Sequence, residues 1–312
     1  MIDQAMLRRV IERACLSPSV HNTQPARWRR GHDRIRIAAD LSVTLDVGDP
    51  ELRDMALSCG ASLEATVLAL SEHGVGAEVS DLWGADDQTT CAGHRMVADI
   101  RFGSGKPDPL HAQLEARFTW RDHFAGAAPT LFGWTRTDTN IVLDRPTVAH
   151  IVALNDRVSL DIMRDRGFRR ELLSWMRLGT GAAVDGMTGA NLRMSGFEAR
   201  ATSLALGPLW LLLDLCGLTA GLTAEVDKTN SAPMIVAFHR PKGESPVASG
   251  RAYLRMWLEA TSLGLAGWPM AALSDVPEAR GELCTMLGIP SDRRLIQVLR
   301  FGAATGEMSP WT

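Results

Sequence analysis

The chain is poor in most of the features that announce a chemistry. Its five cysteines, Cys15, Cys59, Cys91, Cys216 and Cys284, are odd in number and never spaced Cys-x-x-Cys. Neither a disulfide framework nor a zinc site is therefore expected, and a reducing, cytoplasmic location is the default. Eight histidines form no His-x-x-x-His pair, so no metal centre is expected. No window approaches the ~20 apolar residues of a membrane span. The N-terminus, with Asp3, Arg8 and Arg9, has no signal-peptide core, so no membrane association is expected. Gly-x-Ser-x-Gly, a strand followed by Gly-x-Gly-x-x-Gly, and the Gly-Lys-Ser/Thr of a P-loop are all missing. A net charge of −3 lacks the basic excess of a nucleic-acid binder. At 312 residues and 46% hydrophobic, the chain can bury a sizeable core in one large domain or two modest ones.

What is present starts at Ser17-Pro18-Ser19-Val20-His21-Asn22-Thr23-Gln24-Pro25. Leu7, Val10, Ile11 and Ala14 recur at helical spacing before it, and Pro18 should stop that helix near Ser17. The loop offers hydroxyls, amides and backbone N–H groups that suit a polar planar ligand, and its composition equally suits an ordinary turn. A second polar segment, Arg117-Phe-Thr119-Trp-Arg121-Asp-His-Phe124, sets two arginines four apart with a hydroxyl between them. They could converge on a phosphate, or they could be solvated residues of a helical face.

Around these segments the patterning alternates. A strand pair is expected over Arg27–Ala39 around Gly31-His32-Asp33, and strands over 77–83, 96–102, 140–143, 232–239, 267–273 and 295–301. Asp49-Pro50-Glu51 reads as a helix start, and the apolar stripe that follows carries Gly60, Ala61 and Ser62 at its middle, where another helix or a ligand could come close. Further helices are expected over 147–164, 167–178, 250–263 and 277–287. Ser203–Leu218, with Trp210-Leu-Leu-Leu, reads as a buried helix. Gly103–Pro109 is the clearest break in the chain. The glycine-rich run Gly179–Gly189 fits a mobile flap, extended to a lid over 179–196, as well as it fits a plain connector.

Two parts of the chain also match each other. Gly60, Leu68 and Gly74 have the spacing of Gly250, Leu258 and Gly264, 190 residues on, and Arg101-Phe-Gly103 recurs as Arg300-Phe-Gly302. A helix followed by a strand ending in Arg-Phe-Gly therefore occurs twice, as a duplication would leave it.

Ser-Pro-Ser-x-x-Asn-x-Gln-Pro resembles the flavin-gripping loop of the nitroreductase family, and Arg-x-Thr-x-Arg-x-x-Phe resembles its phosphate-binding opening. The match is to the Acg type, in which two nitroreductase-like halves share one chain. Trp120 departs from the smaller polar residue expected at its position. The resemblance implies an α+β fold of two pseudo-symmetric halves, 1–109 and 110–312, that intertwine, each with a mainly antiparallel sheet and packed helices. It implies FMN as cofactor at one composite site, held by Ser17, Pro18, Ser19, Asn22 and Gln24 with Arg117, Thr119 and Arg121. Backbone at Gly267, Trp268, Pro269 and Met270 would face the flavin ring, although a strand start with an edge proline explains those residues equally well. The basic tail that such chains use for phosphate is missing, which leaves Arg294 or Arg300 to substitute. The activity implied is a flavin-dependent oxidoreductase with NAD(P)H or another donor and a small organic acceptor, with no catalytic side chain required. FMN storage is the alternative. A pseudo-dimeric monomer or a homodimer is implied, with no nucleic-acid or membrane partner.

Overall fold

A computed structural model of the chain describes residues 2–84, 93–126, 134–179 and 183–306. In chain order the first elements are α1 (Gln4–Ala14), β1 (Ala26–Arg30), β2 (Arg34–Asp40), α2 (Arg53–Ser71), β3 (Val75–Asp81) and β4 (His94–Ser104). There follow β5 (Phe124–Ala125), β6 (Thr139–Val142), α3 (Arg145–Arg164), α4 (Arg166–Trp175), β7 (Met176–Arg177) and β8 (Met187–Thr188). Four helices come next: α5 (Gly196–Leu206), α6 (Trp210–Leu215), α7 (Thr219–Thr223) and α8 (Val226–Ser231). The chain continues through β9 (Met234–Pro241), α9 (Pro246–Ser262), β10 (Ala266–Pro269), α10 (Ala272–Asp275), α11 (Pro277–Met286) and β11 (Arg293–Ala304). The class is α+β, as expected, and both main sheets are antiparallel.

The chain forms two compact units, one of residues 2–118 with 243–262 and one of 119–242 with 263–306. The first cut falls nine residues beyond the expected boundary at 109, and α9, late in sequence, belongs to the first unit.

In the first unit the sheet order is β1-β2-β4-β3. Helix α2 is buried on nearly all its faces. Its apolar residues meet Ile35, Ile37 and Ile100 of the sheet, and Leu254 and Leu258 of α9, in one core. The small residues at its middle are explained by that helix. A Cβ on Gly60 would lie 2.2 Å from the Val247 carbonyl oxygen, so only glycine permits the crossing. One charge is buried with α2. Glu64 accepts from Arg251 Nε (2.7 Å) and Arg255 Nη1 (2.8 Å), and Arg255 also donates to Asp108 (2.8 Å). A buried carboxylate held this way stays paired on both oxygens.

Helix α2 starts three residues later than Asp49-Pro50-Glu51 predicts. Leu52 takes a left-handed turn (φ 57°), and the Asp49 carboxylate reaches over it to accept from the Met55 N–H (2.8 Å). The acid caps the helix as expected, but from across a turn.

In the second unit the order is β10-β11-β9-β6, with β5 on the far end of β11. Its core joins α3, α11, β9 and β11 through Ile151, Leu283, Ile235 and Val298. Two expectations fail here. The strand expected over 267–273 ends at Pro269, because proline brings no N–H to the ladder, and α10 follows. The helix expected to be buried over 203–218 is broken at Gly207 and at Gly217 (φ 69°). Leu206 and Trp210 pack inward with Leu172 and Met187, while the leucines of α6 face outward. A six-residue helix cannot bury leucines on every side.

The matched repeat positions occupy matched places. Leu68 and Leu258 are fully buried, and Gly74 and Gly264 both stop their helices at positive φ (70° and 77°). Arg101-Phe-Gly103 lies late in β4, with β3 between it and α2, and Arg300-Phe-Gly302 lies late in β11, with β10, α10 and α11 between it and α9; Arg101 is exposed and Arg300 is buried.

Candidate functional site

The loop after α1 is built by hydroxyls. Ser17 is buried, and its Oγ shares a hydrogen bond with Ser62 Oγ on α2 (2.8 Å). One helical turn earlier, Ser58 Oγ accepts from the Val20 N–H (3.2 Å). Ser19 Oγ accepts from the Gln24 N–H (3.1 Å), and Gln24 Nε2 donates to Asn22 Oδ1 (3.2 Å). These bonds hold an unusual backbone: His21, Asn22 and Gln24 have φ of 47°, 55° and 46°. Left-handed non-glycine residues cost ~1–3 kcal/mol each and persist only where neighbours over-determine them, a pattern that clusters at ligand clamps. The serine hydroxyls thus help to shape the loop. Ser58 was not legible as a loop anchor, although Ser62 stood out in sequence as a small residue of α2.

Beside the loop lies a cavity of about 260 Å³, lined by Ser17, Ser19, Gln24, Cys15, Arg27 and Trp28 among others. Burial raises the Cys15 pKa, which keeps it a neutral thiol. Arg27 donates to the carbonyls of Gln24 (2.6 Å) and Ala26 (2.9 Å) and pairs with Asp40 (2.9 Å), fixing the loop's exit. Trp28 Nε1 donates to Thr66 Oγ1 on α2 (3.0 Å).

Arg117 belongs to this same unit and is 7% exposed. Its Nη2 donates to the Leu16 carbonyl at the end of α1, and its guanidinium lies 4.8 Å from the Trp257 ring centre. The arginine expected to meet phosphate therefore anchors the residue just before the Ser-Pro-Ser turn.

The second unit gathers the other expected residues. Thr119 bridges Gly267 in parallel, and the Trp120 N–H donates to the Gly267 carbonyl (3.0 Å). Two segments far apart in sequence thereby share one ladder. Met270 is core: its N–H donates to the Val298 carbonyl (2.7 Å), and its side chain packs with Leu273 and Ile235. Pro269 pairs opposite Leu299. Trp268 is 9% exposed and sits under two cations, Arg300 at 3.7 Å and Lys228 at 5.5 Å from its ring centre. Arg300 is 1% exposed and donates to Thr229 Oγ1 (2.6 Å) and Glu225 Oε2 (2.6 Å). The Arg300 guanidinium is thus engaged by Thr229 and Glu225 while it lies over the Trp268 ring.

Arg121 differs. Its Nη1 donates to the Asn191 carbonyl (3.1 Å), and Lys228 Nζ donates to the Arg121 carbonyl (3.3 Å). Burial brings its pKa down to about 10, with Glu225 opposing the fall. At neutral pH it remains a cation, but a poorly hydrated one, and an anionic oxygen beside it would recover part of that lost solvation. The donor set here fits a phosphate. Lys228, Asn191 and Glu225 carried no sequence signal, because only the packing of α8 and of residues 188–194 against this segment brings them in.

Of the expected lid over 179–196, residues 180–182 lie outside the described residues. In the remainder, β8 pairs with β7, Met187 packs inward, and Arg193 (φ 57°) places its guanidinium 4.3 Å from the Trp120 ring centre. Among the described residues no helix is long and apolar enough to cross a membrane, and no group of three His, Cys, Asp or Glu could hold a metal.

No family model matches the chain. Over 93% of its length it aligns, at 23% identity, with 87% of a Mycobacterium tuberculosis protein named "Putative NAD(P)H nitroreductase acg". A second protein of that organism, "Putative NAD(P)H nitroreductase Rv3131", is 37% identical over 78 residues. That match spans 25% of this chain and only 23% of the relative. Among solved structures, a nitroreductase with bound FMN from Bacteroides fragilis is similar over 64% of this chain and 91% of its own, at 16% identity and a TM-score of 0.33. By its loop motif and an alignment over most of its length, the chain is similar to proteins named as nitroreductases. Within that class it is the Acg type that it resembles.

Proposed function

We propose that this chain is an FMN-dependent oxidoreductase of nitroreductase type, taking electrons from NAD(P)H and passing them to a small organic acceptor. The observation that carries this reading is the strained loop 17–24, held by Ser58 and Ser62 beside a cavity of about 260 Å³. FMN, when bound, supplies the redox chemistry. The loop residues Ser17, Pro18, Ser19, Asn22 and Gln24 orient the ring and ribityl chain. Thr119 and Arg121 hold the phosphate, Arg117 sets the loop's origin, and Trp268 with Lys228 excludes water. No side chain is assigned a proton transfer. The matched positions of α2 and α9 support an origin by duplication, which left a single flavin site.

Storage of FMN is the second reading, and one observation favours it. Residues 188–194 lie across the 119–121 segment, with the Asn191 carbonyl on Arg121 and Arg193 on Trp120. A strap that closes on the phosphate arginine slows exchange of whatever it covers. Mixing flavin-loaded protein with NADH or NADPH in a stopped-flow instrument separates the two. Bleaching of the oxidised flavin band supports the oxidoreductase. No bleaching with either donor, but ready reduction by dithionite, supports storage.

A further inference from the structure

Two cations of the second unit have no acid of their own. Arg121 Nη1 donates to the Asn191 carbonyl (3.1 Å), and Lys228 Nζ donates to the Arg121 carbonyl (3.3 Å). Among the described residues these are their only side-chain hydrogen bonds, and neither makes an ion pair. Both acceptors are neutral carbonyls. The Thr119 hydroxyl, two residues before Arg121, has no hydrogen-bond partner among the described residues. All of these residues belong to the second unit.

The acids around them are engaged elsewhere. Glu225, whose field reaches Arg121, accepts from Arg300 Nη2 (2.6 Å). Asp122 lies in the field of Lys228, but it accepts from the His123 N–H (2.8 Å) and stands 3.1 Å from His123 Nδ1. Glu198, also in that field, accepts from the Ser195 N–H (2.7 Å) in the capping box of α5. Asp156 on α3 accepts from the Glu225 N–H (3.2 Å). Asp227 is exposed on α8 and bonds to neither cation. The neighbouring cations have partners: Arg300 holds Glu225 and Thr229, and Arg193 lies over the Trp120 ring.

Two cations without a counter-charge, one of them poorly hydrated, are best neutralised by an anion that brings two charges on one group. A phosphate monoester does so above its second ionisation, near pH ~6, and carries only one charge below it. A carboxylate or a phosphodiester brings one charge at any pH.

We propose that Lys228 is the second cation of the phosphate site and that, with Arg121, it selects a phosphate monoester in its doubly charged form. The inference rests on the reading of Arg121 as a phosphate ligand, and it adds the second residue and the ionisation state that is bound.

The test titrates apo-protein with FMN and with riboflavin, followed by flavin fluorescence, at about pH 7.5 and about pH 5.5. At the higher pH, Lys228→Gln should weaken FMN binding about tenfold or more, the effect of losing one charge-assisted bond, and leave riboflavin nearly unchanged. Lys228→Arg keeps the charge and should recover most of the loss. Lys242→Gln removes the same charge from an exposed position after β9 and should change neither affinity. If Lys228→Gln does not fold, Lys228→Met takes its place. On acidification the wild type should lose roughly fourfold in FMN affinity relative to riboflavin, the fall in dianion over that range for a group of pKa ~6. Lys228→Gln should lose less. A proton gained by His123 would strengthen anion binding and so cannot mimic the fall. If Lys228→Gln binds FMN as the wild type does, or if the wild-type preference for FMN over riboflavin is the same at both pH values, the proposal is overturned while the flavin reading stands. If the chain binds neither flavin, that reading fails and inorganic phosphate becomes the probe, in thermal unfolding against chloride of equal ionic strength. Phosphate that stabilises the wild type but neither Lys228→Gln nor Arg121→Ala upholds the two-cation site. No stabilisation of the wild type, or equal stabilisation of the variants, overturns it.

Discussion

Gly60 on α2 and Gly250 on α9 oppose each other where their helices cross. A Cβ on Gly60 would stand 2.2 Å from the Val247 carbonyl oxygen, and a Cβ on Gly250 would stand 2.2 Å from the Leu57 carbonyl oxygen. The contact is reciprocal, because Val247 follows Leu57 by the same 190 residues that separate Gly250 from Gly60. Reciprocity of this kind is the mark of an isologous contact, here made by two helices of one chain. The two glycines that make it are two of the positions that recur 190 residues apart in the sequence.

Gly60→Ala and Gly250→Ala should therefore cost similar amounts. Each methyl meets backbone, which cannot swing aside as a side chain would. Overpacking of ~1–3 kcal/mol or more outweighs the gain of up to ~1 kcal/mol from a better helix former. Gly281 is the control: it lies within α11 with open space around its Cβ position. Gly281→Ala should be neutral or stabilising. Thermal melts of the three variants decide, and equal behaviour of all three would contradict the close crossing.

Asp49 should make stability fall with pH. Burial, reinforced by Asp54, raises its pKa from the usual carboxylate value to about 6. The folded chain then holds a proton that the unfolded chain has released, so stability is fullest below about pH 4 and is lost as pH rises to about 6. The full effect is ~3 kcal/mol. Asp49→Asn keeps an acceptor for the Met55 N–H without the charge. It should raise the denaturant midpoint at pH 7.5 and leave it nearly unchanged at pH 4.5.

Part of this was legible in the sequence and part was not. The helix before Pro18, the hairpin around Gly31, α3 and α11 follow from periodicity and turn chemistry, which are local. The repeat placed Gly60 and Gly250 in register without saying that they touch. The polarity of Ser17 and Ser19 was plain, but their partners lie in α2 and in the loop itself, so what the hydroxyls do was hidden. Arg117 and Arg121 look alike in sequence. One lies beside Trp257 and the other beside Asn191, a distinction made wholly by tertiary packing. The leucines of 209–222 carry the composition of a core, and only the short broken helices put them outside.

The two arginines should separate in binding. Arg121→Ala removes a charge-assisted bond to phosphate worth ~1.5–3 kcal/mol, so FMN affinity should fall roughly ten- to a hundredfold. Riboflavin, which lacks the phosphate, should be much less affected. Arg117→Ala instead frees the start of the loop and should weaken FMN and riboflavin together. Flavin fluorescence titrations of the apo-protein give both comparisons. Equal losses for the two ligands in Arg121→Ala would refute the phosphate assignment.

The most direct measurement is flavin content. Protein purified after incubation with excess FMN is denatured, and the released flavin is identified by chromatography and quantified against chain concentration. One Ser-Pro-Ser loop per chain predicts one FMN per chain, as FMN and not as riboflavin. A ratio near two would contradict the single site, and no retained flavin would contradict the account as a whole.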